Sequence, residues 1–498
     1  SVLACNNRCP HEGYPLCEGT LDSAGLLTCQ WHNWKFDLRT GANRYGGDAL
    51  RVYPVRIEQG RVWLDLSDPP PAQRVAQALG RLGEAVDDHD PARIARELAR
   101  LEHSGATPEA ALLQALKRSH TRLRYGMTHA YAAADAWLHL RDMQSDPGQR
   151  LACATEALAY IGFDTLREAE YPYTSAQRSW SRADFLAAVE AQDEAAALAC
   201  VNEALARAAS LDSLLPTLAE AALAHYNDFG HSLIYLTHVR SLVDRLGAPA
   251  ASPLLRAWVR SLVHATREDL LPDFKHFRDA LAQWPVAPQA DEGLAPPTAA
   301  MFESLPIRQT LAATRDAAAR HPPQHLWQAL MQAGAQHLLR FDERHALRTD
   351  NPVGVDVGWL DFSHALTFGH ALRQLASIGP DLWPAGLLQM ALFVGRNTAY
   401  LVEGLDSAAA VAAWRVDDPA AFEADAQLRI IDHGIGVPIF AAHRLKTWLA
   451  VHDTVVRGVA PAGATALCAA VNRLLAVQFK QRHALRVAQQ ALRFVERE

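Results

Sequence analysis

Residues 67–71, Ser-Asp-Pro-Pro-Pro, separate two textures of sequence, and the fold is read outward from them. Three consecutive prolines hold φ at about −65° and lack backbone N–H groups, so neither a sheet ladder nor a helix interior runs through them. Upstream, residues 1–66 alternate short apolar stretches with Gly, Pro, Asn and Asp. Leu26–Trp31, Trp34–Leu38, Arg51–Ile57 and Val62–Leu66 read as short strands with turns between them. Downstream, Ala, Leu, Arg, Glu and Gln dominate, and apolar residues recur at helical spacing. Helical patterns cover 108–145, 150–168, 181–208, 211–247, 252–266, 307–319, 325–340, 361–377, 385–405, 440–456 and 463–495. They break near Pro147–Gly148, Gly247–Pro253, Trp284–Pro297, Pro322–Pro323 and Thr349–Val357. The expected fold class is multidomain β + all-α. A small β-domain covers 1–66, a linker and first helix cover 67–95, and a large all-α domain covers 96–498.

A chain of 498 residues is long enough for more than one domain. Its net charge of −7 argues against nucleic acid and anionic membrane as partners. There is no long uninterrupted apolar run, so no membrane span is expected, and no secretory signal is visible. The seven cysteines are Cys5, Cys9, Cys17, Cys29, Cys153, Cys200 and Cys468. An odd number, crowded towards the N-terminus, does not read as a disulfide framework; a reducing, cytoplasmic setting fits better. The 22 histidines are twice the tyrosines in number, so they are the place to look for chemistry.

Two of them stand in Cys9-Pro-His11 and Cys29-Gln-Trp-His32. Each pair offers one thiolate and one imidazole from a tight loop. Two cysteines on one iron and two histidines on the other make a Rieske [2Fe-2S] centre, where neutral imidazoles raise the reduction potential. Gly13 lets the first loop turn, and Trp31, Trp34 and Phe36 supply an apolar wall. The stretch CQWHNWKFDLRTG (Cys29–Gly41) resembles the second loop of Rieske ferredoxins and Rieske oxygenases. The competing readings are a structural zinc site or unrelated Cys and His. Cys5 and Cys17 are not placed like the loop-linking cysteines of respiratory-chain Rieske proteins, so a cluster without a disulfide is expected, with Cys17 a small buried residue. Only eight residues precede Cys9, so the strands that open such domains are expected to be missing from this numbering or supplied elsewhere.

Such a cluster moves single electrons, and its acceptor is sought in the helical region. Asp228-Phe-Gly-His231-Ser-Leu and Asp361-Phe-Ser-His364-Ala-Leu share the pattern D-F-x-H-x-L. Asp and His at i and i+3 lie on one side of a helix, so Asp228 and Asp361 can join a metal or orient its imidazoles. His225 and His370 flank the two segments. A third group is His443-Arg-Leu-Lys446, with His433 upstream and His452 downstream. The remaining histidines, His129 among them, stand in no distinguishing context and read as hydrogen-bonded or surface residues.

HSLIYLTHVRSLVDRLGA (His231–Ala248), DFSHALTFGHAL (Asp361–Leu372) and HRLKTWLAVHD (His443–Asp453) resemble, in the same order, three segments of the questin oxidase-like family. Some of its members open anthraquinone rings with a mononuclear iron bound by histidines and a carboxylated lysine. The resemblance implies His231, His364 and His443 as iron ligands and Lys446 as the carboxylated residue. A family segment with His before Thr-Gly has no counterpart, and GLLQMALFVGRNTAYL (Gly386–Leu401) has that texture without His. A fourth imidazole is left open among His225, His370, His433 and His452. Ordinary Rieske oxygenases carry Asp-x-x-His-x-x-x-x-His in an α+β domain; here His370 lies one residue too far from His364, and the pattern is all-helical.

The leading expectation is an iron-dependent oxygenase: the cluster delivers electrons to Fe(II) in the helical domain, which activates dioxygen against a small organic substrate, aromatic or polyketide-like. Its redox partner is a ferredoxin reductase or an NAD(P)H-dependent reductase, and analogy adds a homo-oligomer. The alternatives are a Rieske electron carrier or redox sensor fused to a helical binding scaffold, and a dinuclear carboxylate/His iron oxygenase.

Overall fold

The computed structural model describes residues 2–285, 294–352 and 356–498. Parts of two expected helix breaks, Trp284–Pro297 and Thr349–Val357, lie outside the described residues. The chain divides into two compact units, residues 1–114 and 115–498.

The first unit holds the strands. Thr20–Leu21, Leu26–Thr28, Lys35–Asp37 and Asn43–Tyr45 form a four-stranded antiparallel sheet in that order. Leu27 opposite Phe36 sets the register, and both turn into a small core with Cys9, Leu16, Cys29, Leu38 and Leu50. A slip by one residue would carry Leu27 and Phe36 to the solvent face. Ala4–Cys5 pairs with Val52–Tyr53, and Val55–Glu58 pairs with Arg61–Leu64. The expected strand Arg51–Ile57 is thus two strands, interrupted at Pro54, which has no N–H for a ladder. Gln59 and Gly60, both at positive φ, close the last hairpin.

A helix begins at Pro71, where a missing N–H costs nothing. It packs against the helix Pro91–His103. That second helix aims Arg93, Arg96 and Arg100 at Asp48, a fully buried carboxylate, at 3.3, 2.7 and 3.4 Å. A buried carboxylate is tolerated only when its charge is matched. The ion cluster therefore ties both helices to the β-region, and the compact unit reaches well past the proline linker.

The second unit is helical. Four expected helices are split. The pattern over 108–145 is broken by Gly126, at φ 86°, where a Cβ would meet Ala257 O at 2.3 Å. The pattern over 181–208 divides at Gln192 (φ 53°), after which Asp193 caps a new helix. The pattern over 211–247 is interrupted by three left-handed residues, Asp228, Phe229 and Gly230. The pattern over 463–495 divides into Ala464–Ala476 and Ala484–Val495, because residues between them serve other partners: Val477 O accepts from Arg444, and Gln481 Oε1 accepts Val437 N–H.

Four helices close a ring: His129–Asp142, His231–Leu246, Trp359–Ala376 and Pro438–Val456, each packed against two of the others. Trp137 and Trp448, both fully buried, belong to this bundle. No helix among the described residues is long and apolar enough to cross a membrane.

Candidate functional sites

In the first unit the two Cys/His loops are built alike. Cys9 N–H bonds to Tyr14 O at 2.9 Å, and Cys29 N–H bonds to Trp34 O at 2.8 Å. Each cysteine carbonyl accepts from the residue four positions on, Gly13 (2.8 Å) and Asn33 (3.1 Å). Gly13 and Asn33 are both left-handed, at φ 78° and 60°, a region Gly and Asn tolerate best. Cys9 and Cys29 are buried, whereas His32 is exposed. The Nδ1 atoms of His11 and His32 converge to 3.2 Å. Trp34 stacks on His11 at 4.5 Å, and Trp31 on His32 at 4.9 Å. Burial pushes the Cys9 thiol up, the backbone amides of His11 and Glu12 at its sulfur pull it down, and the adjoining Cys29 thiol pushes it up. Two thiols on the inner side and two imidazoles on the outer one suit a two-iron cluster.

In the second unit, His129, His231 and His443 bring ring nitrogens within 4.8 Å of one another, and His364 joins them with its Nε2 2.9 Å from that of His231. His129 and His231 are the first residues of their helices. Thr128 caps the first, accepting Ala130 N–H and donating to Asp164. The second is set by the left-handed turn: Asp228 N–H bonds to Thr266 O, Phe229 N–H to Glu268, and a Cβ on Gly230 would meet the Phe368 ring at 2.7 Å. His364 and His443 lie inside their helices, each giving Nδ1–H to the carbonyl four residues back, Leu360 O (2.6 Å) and Ile439 O (2.7 Å). His231 Nδ1 faces Asp228. With those protons on Nδ1, Nε2 of His364 and of His443 are acceptors; the first lies 2.9 Å from His231 Nε2, and the second is buried with no partner among the described residues. Burying an unmatched acceptor costs about 1–3 kcal/mol. Lone pairs gathered in this way ask for a cation.

The electrostatics agree. Burial, and then the neighbouring positive charges, drive His129, His364 and His443 well below the usual histidine range and His231 down to about 3. Lys446 lies 3.0 Å from His129 Nδ1, and burial lowers it to about 7. All four imidazoles are neutral at neutral pH, which is the form that binds metals.

Residues 1–54 match the Rieske [2Fe-2S] domain family. The N-terminal segment is a Rieske [2Fe-2S] domain. The chain is 36% identical over 77 residues to 4beta-methylsterol monooxygenase of Methylococcus capsulatus, covering 13% of this chain and 21% of that protein. It is 33% identical over 63 residues to the alkene monooxygenase system ferredoxin component of Xanthobacter autotrophicus, 12% of this chain and 52% of that one. It is 34% identical over 70 residues to the 3-phenylpropionate/cinnamic acid dioxygenase ferredoxin subunit of Escherichia coli, 14% of this chain and 66% of that one. The chain thus spans from about a fifth to about two thirds of these relatives. No solved structure matches it significantly.

The structure brings Cys9, His11, Cys29 and His32 of the Rieske domain together, and likewise His231, His364, His443 and Lys446 of the bundle. The four residues among which a fourth imidazole was sought lie elsewhere. His225 bonds to Asp269 and Glu190, His370 to Asp453, His452 to Glu423, and His433 faces Glu156. Asp228 stays beside His231, but Asp361 does not orient His364: it caps its own helix at Gly358 N–H and pairs with Arg396. Cys17 is exposed rather than buried, because the short turn Leu16–Glu18 gives the inner position to Leu16. The residue the sequence reading passed over is His129. Only part of its signal is local: Thr128 caps the helix that His129 opens, after a turn whose Gly126 lies against Ala257.

Proposed function

We propose that the chain is a Rieske-coupled non-haem iron oxygenase. Cys9, Cys29, His11 and His32 hold the [2Fe-2S] cluster; His129, His231, His364 and His443 hold a single Fe(II), with Lys446, carboxylated, as anionic oxygen ligand. The observation that carries it is the set of inward Nε2 lone pairs in a buried, neutral imidazole cluster. A nitrogen-rich site of this kind suits iron. When bound, the cluster supplies single electrons and the iron supplies dioxygen activation.

The chain's own residues prepare that chemistry. Leu360 O and Ile439 O fix the tautomers of His364 and His443, so these rings need no reorganisation to bind metal. Phe229 lies against His364 at 5.1 Å, with Phe393 behind it, and keeps water from that edge. Lys446, near 7, holds a substantial neutral fraction at neutral pH. Its amine can capture carbon dioxide, forming an N–C bond and releasing a proton. Carboxylates are scarce at the cluster: among the described residues the metal-competent group is imidazole only, which favours one iron over a carboxylate-bridged pair.

The relatives support an oxidoreductase served by a reductase, since they are an oxygenase and ferredoxin parts of oxygenase systems. A small organic substrate completes the reading. The test is His129→Ala in the full chain. It should lower iron by one per chain and abolish dioxygen consumption, with the Rieske spectrum intact. Unchanged iron content would overturn the ligand set.

A further inference from the structure

The same four helices line a partly open cavity of about 420 Å³. It lies about one to four turns C-terminal to the imidazole cluster along the four helices. Asp135 follows His129, His238 and Ser241 follow His231, Thr367 and His370 follow His364, and Lys446 and Ala450 follow His443. Lys446 faces the cavity and also lies against His129, so the two spaces meet at that side chain. Ile234, Leu449 and Ala450 give it apolar surface, and two His–Asp pairs give it polar ends.

The pairs are not equivalent. His370 Nε2 is 2.9 Å from Asp453, but Arg373 and Arg457 also bind that carboxylate and consume its charge. His238 Nδ1 is 2.8 Å from Asp135 Oδ2, and the other oxygen accepts Ser241 Oγ–H at 2.6 Å. Asp135 is 4% exposed. Its charge is therefore directed at one imidazole, fixes the proton on Nδ1 and leaves the Nε2 lone pair for a ligand. His139 also lines the cavity but is exposed.

We infer that this cavity binds a molecule bearing an acidic hydroxyl on an unsaturated ring, a phenol or ring enol, and that His238, braced by Asp135, takes the hydroxyl proton. This deepens the oxygenase reading and rests on it for the fate of the bound molecule. The O–H bond breaks, the proton moves to His238 Nε2, and the products are a ring oxyanion and an imidazolium held by Asp135; no electrons change hands. A phenol, at about 10, can be held as its oxyanion, whereas an aliphatic alcohol gives its proton to such a base only as its oxygen attacks an electrophile. An electron-rich oxyanion is also the form of an aromatic ring that gives up electrons most readily.

The probe is 4-nitrophenol, whose visible band reports the phenolate, added to the full-length protein about one unit below the free phenol's own pKa. The wild type should show a saturable phenolate band. His238→Gln should bind the probe by calorimetry with the band reduced at least tenfold, and Asp135→Asn should weaken the band in the same direction. Ala450→Trp should abolish binding by filling the space. His443→Ala, which disables the imidazole cluster, should keep the band, so failure of the iron reading and failure of this one are separable. A band unchanged in both His238→Gln and Asp135→Asn, or binding unchanged in Ala450→Trp, overturns the proposal.

Discussion

The Rieske domain and the helical bundle each gather imidazoles around a point, by opposite routes. In the Rieske domain the four side chains come from two short loops of the same hydrogen-bonded shape, Cys9–Tyr14 and Cys29–Trp34. In the bundle they come from four helices, at positions 129, 231, 364 and 443, and no two share an element. The first site is fixed by local turns, so much of its geometry is written in adjacent residues. The second exists only when the whole bundle has closed, so its cost in chain entropy falls on the fold. In consequence the loop site should tolerate changes in the bundle, and the bundle site should answer to any change that moves a helix start.

Exchanging single ligands between the two sites gives the largest effect and the sharpest test of that independence. Cys29→Ser should erase the Rieske absorption and leave bundle iron in place; His443→Ala should do the reverse. Each should lower turnover by at least about 100-fold. Loss of both metals from either variant would break the comparison.

The next effect is in pH. Burial lowers Lys446 in the folded state from 10.5 to about 7. Below about 7 the native metal-free chain carries the full penalty of a buried charge; as pH rises towards 10.5 the penalty shrinks, because only the unfolded chain still binds the proton. Lys446→Met should therefore raise the melting temperature of metal-free protein, more at pH 6 than at pH 9. The histidines act in the same direction at lower pH. Their depressed values, about 3 for His231, mean that stability falls with pH below 6.5, by about 1.4 kcal/mol per unit for each such histidine. Titrating unfolding free energy from pH 10 to 5, with and without added Fe(II), checks both windows: stability should rise with pH in each.

A smaller effect is confined to the first unit. Asp48→Asn removes the buried carboxylate shared by Arg93, Arg96 and Arg100 and should destabilise that unit by about 3 kcal/mol, with bundle iron unaffected. The smallest is His452→Gln. Its ion pair with Glu423 is partly exposed, so stability should change by about 1 kcal/mol or less and iron content not at all.

These cases show what the sequence could and could not disclose. The small β-region, the proline break and the helical remainder follow from alternation, helical periodicity and three prolines. Cys9, His11, Cys29 and His32 were legible because their pattern is local. His231, His364, His443 and Lys446 were found through short segments that resemble a family. His129 was missed because the run over 108–145 reads as one helix, which places it mid-helix among ordinary histidines; the turn that frees it depends on Gly126 lying against Ala257 of a distant helix. The same blindness to tertiary partners made His370 look like a ligand, when Asp453 holds it, and Asp361 look like a brace for His364, when Arg396 and its own helix end hold it. The cavity beside Lys446 has no sequence signature, since each wall comes from a different helix.

The most direct measurement is iron quantitation per chain on full-length protein, with an electron-paramagnetic-resonance spectrum before and after dithionite reduction. The account predicts three irons for every two acid-labile sulfides, a reduced Rieske signal, and one further iron that His443→Ala removes alone. Two irons per chain, all in the Rieske cluster and unchanged in His443→Ala, would contradict it and leave the bundle a scaffold rather than a catalytic centre.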